Sequence, residues 1–166
     1  MGETMSKVSV IIPAGPGEPY INETIKSICE NASDDMEIIL ILDGWKPDYR
    51  LTRRKNVKKI YHEERQGMRP SINEGVEASS GDYIAKVDAH VIMGPEWDVI
   101  LKDSCPDNSI VVPARKHLDV DAWKPSEKRP ETITAVSYRY PRVKPYQPRL
   151  TGRPDPIRQA KQTDDI

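Results

Sequence analysis

Residues 82–90 read Asp82-Tyr83-Ile84-Ala85-Lys86-Val87-Asp88-Ala89-His90. An apolar strand runs through residues 83–87 and ends in Asp-x-His. Side chains i and i+2 of a strand point to the same side, so Asp88 and His90 are expected side by side at its carboxyl end. A carboxylate and an imidazole placed together can hold one divalent cation. In an open α/β sheet, ligands bind outside that edge. The pair therefore suggests a site for a metal and for the phosphates the metal neutralises. The competing reading is a turn-capping Asp88 beside a surface-exposed His90.

Working outward, residues 7–113 alternate strand and helix signals. Val8, Val10, Ile11 and Ile12 form a β-branched run that predicts a buried parallel strand. Pro13, Gly15, Pro16, Gly17 and Pro19 break it into a loop. Ile21, Ile25, Ile28, Cys29 and Ala32 recur at helical spacing. Residues 37–42 predict a second buried strand, stopped by Asp43-Gly44, and residues 57–61 a third. Pro70 suits a first helical turn, with Ile72, Val76 and Ala78 as that helix's apolar stripe. Pro95 opens a shorter helix with Trp97, Ile100 and Leu101 inward, and residues 110–112 predict a fifth strand. The β-α-β-α rhythm implies an α/β fold, Rossmann-like, with a mostly parallel central sheet flanked by helices.

Beyond Leu118 the rhythm stops. Seven of the fifteen prolines lie from Pro125 onward, and residues 120–166 hold ten Lys or Arg against six Asp or Glu. Only residues 133–140 read as a strand. The rest predicts an extended arm or a disordered tail; the alternative is a loop that orders over bound substrate. Tyr138, Tyr140 and Tyr146 interleave with Arg139, Arg142 and Lys144, a pattern that can stack on and pair with a phosphate-rich strand. A solvated arm is the plainer reading.

Composition narrows the class. The chain has 166 residues, 37% hydrophobic and 31% charged, with net charge -1. That supports one soluble domain with a real core and gives no overall attraction to nucleic acid or an anionic membrane. No apolar run approaches the roughly 20 residues of a membrane span, and the first residues lack the apolar core of a signal peptide. Cys29 and Cys105 are too few for a disulfide framework; a reduced, cytoplasmic setting is expected.

Several stretches together resemble the family 2 glycosyltransferases, which have the nucleotide-binding GT-A fold. Val-Ser-Val-Ile-Ile-Pro-Ala at residues 8–14 is similar to that family's opening strand, and residues 37–44 to its second strand, which commonly ends Asp-Asp-Gly-Ser. Gly67 through Ser71-Ile72-Asn73-Glu74-Gly75 resembles Gly-x-x-x-Ala-Arg-Asn-x-Gly. Residues 79–84 follow as Ala-x-Gly-x-Tyr-Ile does there. Asp88-Ala89-His90 fills the Asp-x-Asp slot, in the Asp-x-His form of polypeptide N-acetylgalactosaminyltransferases, and Gly94-Pro95-Glu96-Trp97 resembles the Pro-x-Trp that follows. Two positions depart from the pattern. Leu42 replaces one aspartate of the second strand, and Ile72 replaces the arginine, leaving Arg65 or Arg69 as candidates for its charge.

The resemblance implies a metal-dependent transferase, or its donor-binding half, moving a sugar from a UDP-sugar to an unknown acceptor. Residues 1–118 would form the nucleotide-sugar-binding core, and residues 119–166 a Pro-rich basic extension that starts a truncated acceptor-side region. Pro13, Ala14 and Gly15 are small enough for backbone to approach a flat base. Asp43 could accept the N3–H of uracil, or simply serve the turn before Gly44. Arg69 and Asp88 complete the donor set. Asp88 and His90 would hold the metal, and mixed oxygen and nitrogen ligation favours Mn²⁺ over Mg²⁺. Glu18 could reach the same cleft or be solvated, the second being the plainer reading; Gly75 reads as a packing or turn residue, and Trp97 as core, with an acceptor-stacking platform as the alternative. No catalytic base is assigned. The acceptor is a sugar, a polymer or, through the basic tail, nucleic acid. A non-catalytic nucleotide-sugar-binding module is the alternative. A sugar-phosphate nucleotidyltransferase ranks lower, because the loop after the first strand carries Glu18 and no basic residue.

Overall fold

In the computed structural model, residues 6–129 are described together with the backbone of Thr132 and Ile133. The chain divides into two compact units, with the boundary between Ser109 and Ile110.

The first unit is built on four parallel strands, β1 (Val8–Ala14), β2 (Met36–Leu42), β3 (Val57–Tyr61) and β4 (Tyr83–Lys86). Their spatial order is β3-β2-β1-β4. Strand β1 sits in register with β2 from Val8 opposite Met36 to Ala14 opposite Leu42. On its other side, Val8 lies opposite Tyr83 and Ile11 opposite Lys86. The chain leaves β1 towards β2 and β3, then returns past them to lay β4 on the far side of β1. The direction of strand addition thus reverses between β1 and β4. Outside the carboxyl ends of two such strands lies the crevice where open α/β sheets bind ligands.

Both faces of the sheet are covered, which is why β1 and β2 read as nearly continuous apolar runs. On one face Val8, Val10, Ile12, Ile38 and Leu40 pack with Ile21, Ile25 and Ile28 of helix α1 (Ile21–Glu30) and with Trp97. On the other, Ile11, Ile39 and Ile41 meet Ile60 and Ala78, beneath helix α2 (Met68–Glu77). Helix α3 (Trp97–Asp103) starts at the buried Trp97, whose indole N–H donates to the Ile28 carbonyl at 3.1 Å.

The helical expectations hold for α1 and need correcting for α2 and α3. Ser71 and Gly75 are the buried residues of α2, while Val76 is exposed. A Cβ on Gly75 would lie 2.5 Å from Ile11 Cγ2. The helix therefore packs through small residues; Val76 turns outward and Ile72 is half-buried. In α3, Leu101 packs on the core but Ile100 is exposed, because a two-turn helix has room for only one inward stripe.

The amino ends of the strands carry a polar knot. Ser9 on β1 lies opposite Glu37 on β2. Glu37 Oε1 accepts from Ser9 Oγ at 2.6 Å and from the Ser80 N–H and hydroxyl at 2.6 and 2.9 Å. The Gly81 N–H donates back to Ser9 Oγ at 2.8 Å. Burial alone would raise the Glu37 pKa, but these donors and the Lys7 ammonium outweigh it and bring it down to about 2.

The second unit differs from expectation. Residues 110–112 form no strand: Ile110 and Val112 are exposed, followed by Pro113, which lacks the N–H a ladder needs. Residues 118–125, where the β-α rhythm stops, contain the paired strands β6 (Leu118–Asp119) and β7 (Lys124–Pro125). The Ala122 N–H donates to Asp119 Oδ1 across the turn. Strands β5 (Arg115–Lys116) and β8 (Thr132–Ile133) also pair antiparallel. Most of the strand expected over 133–140, and the tyrosine-and-arginine stretch, lie outside the described residues.

Candidate functional site

Three chain segments reach the carboxyl edge of the sheet around the point of reversal. They are the loop after β1, the residues after β4, and the turn after β2.

After β4 the alternation of exposure persists. Lys86, Asp88 and His90 are exposed, while Ala89 between the last two is buried. Asp88 and His90 are thus both exposed just past the end of β4, where the chain bends at Ala89 and His90. Helix α1 anchors this segment from below. Thr24, fully buried, donates its hydroxyl to the Ala89 carbonyl at 2.9 Å and accepts the Val91 N–H at 3.1 Å. One side chain thus fixes the backbone on both sides of His90. Two residues later the Met93 N–H donates to Ser27 Oγ at 3.0 Å.

Each candidate ligand has a polar partner. The Lys86 ammonium pairs with Asp88 Oδ1. His90 Nδ1 lies 3.1 Å from Glu18 Oε2, so of the two readings of Glu18 the structure takes the one that reaches the cleft. The β1–α1 loop is drawn over because Tyr49 donates its hydroxyl to the Glu18 carbonyl at 2.5 Å. Tyr49 in turn meets Trp45 edge to face.

Pro13, Ala14 and Gly15 stand at the end of β1. Ala14 is buried and its carbonyl accepts the Asp43 N–H at 2.9 Å, while Pro13 and Gly15 are partly open. Asp43, just past β2, is buried. Its Oδ1 accepts from His62 Nδ1 at 2.8 Å and from the Gln66 N–H at 2.7 Å. Its Oδ2 accepts the Gly67 N–H at 2.8 Å. A carboxylate offers about four lone-pair positions, so one on Oδ2 is left. Burial pushes the Asp43 pKa up, but the His62 bond and the two backbone N–H groups outweigh it, and the net shift is down. The next residue, Gly44, has φ +65, and a Cβ there would lie 2.4 Å from the Arg65 nitrogen. Glycine is required for the turn to pass the 65–67 segment. Arg69, in the first turn of α2, is exposed.

His62 went unnoticed in the sequence. It follows β3 as Asp43 follows β2, and neighbouring parallel strands bring the two together. Its other nitrogen, Nε2, lies 2.5 Å from Glu74 Oε2 on α2. The bonds to Asp43 and then Glu74 raise the His62 pKa, outweighing its burial. The signal was available only to a reader who already knew that β2 and β3 are adjacent.

By its chemistry the donor set fits a single divalent cation: an exposed carboxylate and an exposed imidazole two residues apart, just past the end of β4. Among the described residues no three of His, Cys, Asp and Glu converge as a metal cluster. The protein's share would be Asp88 and His90, with the remaining positions open to ligand oxygens and water.

Residues 9–158 match the family described as Glycosyl transferase family 2. The chain belongs to that family. Over 102 residues it is 36% identical to an uncharacterized glycosyltransferase of Haemophilus influenzae, a match covering 57% of this chain and 31% of the relative. Over 111 residues it is 28% identical to the putative glycosyltransferase EpsH of Bacillus subtilis, covering 63% and 32%. The chain thus spans about a third of the length of these relatives. Among solved structures, S. aureus TarS 1-349 superposes with a TM-score of 0.47 at 18% identity, over 68% of this chain and 42% of that one. Among the described residues, no helix is long and apolar enough to cross a membrane.

Proposed function

We propose that this chain supplies the donor-binding part of a metal-dependent glycosyltransferase that uses a UDP-sugar. The observation that carries the reading is the shared exposure of Asp88 and His90 at the carboxyl end of β4, beside β1 and at the point where strand order reverses.

The residues take separable roles. Pro13, Ala14 and Gly15 offer a low wall against which the flat base can lie. The free lone pair of Asp43 Oδ2 accepts the N3–H of uracil, a proton that cytosine lacks, so the residue favours UDP. Arg69, exposed at the start of α2, adds positive charge to the donor's side. Asp88 and His90 hold Mn²⁺, with Mg²⁺ as the weaker fit to a nitrogen ligand. When bound, the cation stabilises negative charge developing on the diphosphate leaving group. Lys86, paired with Asp88, places a further cation at the same edge. The loop after β1 offers Glu18 and no Lys or Arg, which disfavours nucleotidyl transfer from a triphosphate.

Thermal unfolding with UDP and Mn²⁺ together tests the reading. Saturating both should raise the melting temperature, since a ligand that binds only the native state stabilises it. Asp88→Ala should abolish the rise while leaving the melting temperature of the chain alone nearly unchanged. No shift at millimolar UDP and Mn²⁺ would sink the proposal. UDP release from a panel of UDP-sugars then separates transfer or hydrolysis from binding alone.

A further inference from the structure

We propose that Glu18 is a positioning residue for His90: its carboxylate fixes the imidazole as the Nδ1–H tautomer, leaving the Nε2 lone pair for the cation. The inference rests on the metal reading above and adds a residue to it.

Three observations carry it. The first is the 3.1 Å contact between His90 Nδ1 and Glu18 Oε2. An ionised carboxylate only accepts hydrogen bonds, so the proton of that contact belongs to Nδ1. In a neutral ring with its proton on Nδ1, the lone pair is on Nε2, on the edge away from Glu18. The second is that both partners are held by their backbones. Thr24 clamps Ala89 and Val91 on either side of His90, and the Tyr49 hydroxyl holds the Glu18 carbonyl. The contact is therefore set by two anchored segments, unlike a chance meeting of long surface side chains. The third is exposure: the Glu18 side chain is 28% exposed and that of His90 48%, so the orienting group is the more covered of the two and the ligand the more open. A carboxylate behind a metal-binding histidine typically changes metal affinity about 10- to 100-fold.

The test uses the full 166-residue chain and three readouts. In the metal-free protein, imidazole ¹⁵N shifts report the tautomer: His90 should be Nδ1-protonated in the wild type and lose that preference in Glu18→Ala. With UDP and Mn²⁺, the paramagnetic resonance of free Mn²⁺ gives the affinity, which should fall about 10- to 100-fold in Glu18→Ala. In Glu18→Gln it should stay within a few fold, because the amide oxygen still accepts from Nδ1–H. The ¹⁴N coupling to bound Mn²⁺ should be present in the wild type, absent in His90→Ala and weakened in Glu18→Ala. Equal affinity in wild type and Glu18→Ala, with His90→Ala impaired, overturns the role of Glu18 and leaves the metal site standing. Glu18→Gln as weak as Glu18→Ala overturns it too, pointing to charge or direct ligation. A wild-type chain that binds no Mn²⁺ overturns both this inference and the reading beneath it.

Discussion

At the scale of single residues, the carboxyl edge of the sheet is held by a histidine between two acids. His62 joins Asp43 of the β2 turn to Glu74 of α2, so three elements meet through one imidazole. Removing one partner of a buried charged pair leaves the other uncompensated. His62→Gln should therefore destabilise the chain by about 3 kcal/mol near neutral pH, measured by urea unfolding. The pH dependence has a definite sign. The His62 pKa is raised above its ordinary 6.5, so its contribution is fully present below 6.5 and fades as pH rises through the folded value. The stability gap between wild type and His62→Gln should narrow in alkaline buffer; a gap that stays flat would refute a charged His62. Glu37 has the opposite sign. Held at about 2 against an ordinary 4.5, it stabilises above 4.5 and loses that contribution as pH falls towards 2. Glu37→Gln should cost about 1.5–3 kcal/mol at neutral pH and much less near pH 2, by the same measurement.

At the scale of elements, small residues decide how closely α2 seats on the sheet. Gly75 leaves no space for a methyl group, with Ile11 Cγ2 at 2.5 Å and Ile41 Cδ1 at 3.1 Å from its would-be Cβ. Gly75→Ala should cost about 1–3 kcal/mol by overpacking, visible as a lower melting temperature. Because α2 carries Glu74 as well as Arg69, the same change should also weaken UDP binding, and titration of UDP into the variant checks it. Helix α1 plays the matching part on the other face. Its Thr24 and Ser27 grip the segment that presents His90, so the helix under the sheet sets the position of the candidate metal ligands. Much of this was legible beforehand. The spacing of Ile21, Ile25 and Ile28 gave α1 and its buried face, and the apolar runs gave four of the strands. The exposed Val76 and Ile100 were misread because periodicity ranks residues by hydrophobicity. Packing distance instead selected Ser71 and Gly75, which periodicity does not score.

At the scale of the whole molecule, the candidate site exists because distant segments converge. Glu18 and His90 are 72 positions apart, and Thr24 and Ala89 are 65. The chain spans about a third of its relatives, so binding and transfer are separate questions for these 166 residues. UDP with Mn²⁺ should bind here whether or not UDP-sugar is consumed, and comparing the two signals in one assay resolves them. By itself, the sequence determined the α/β rhythm, the parallel strands and the position of Asp88 and His90 just past a strand end. Those follow from local periodicity, which needs no knowledge of neighbours. Only the tertiary structure decided that β4 lies beside β1, that Glu18 reaches His90, and that His62 bridges Asp43 and Glu74. Such contacts depend on strand order and on which loops the helices pull together, and no local pattern in the chain records either.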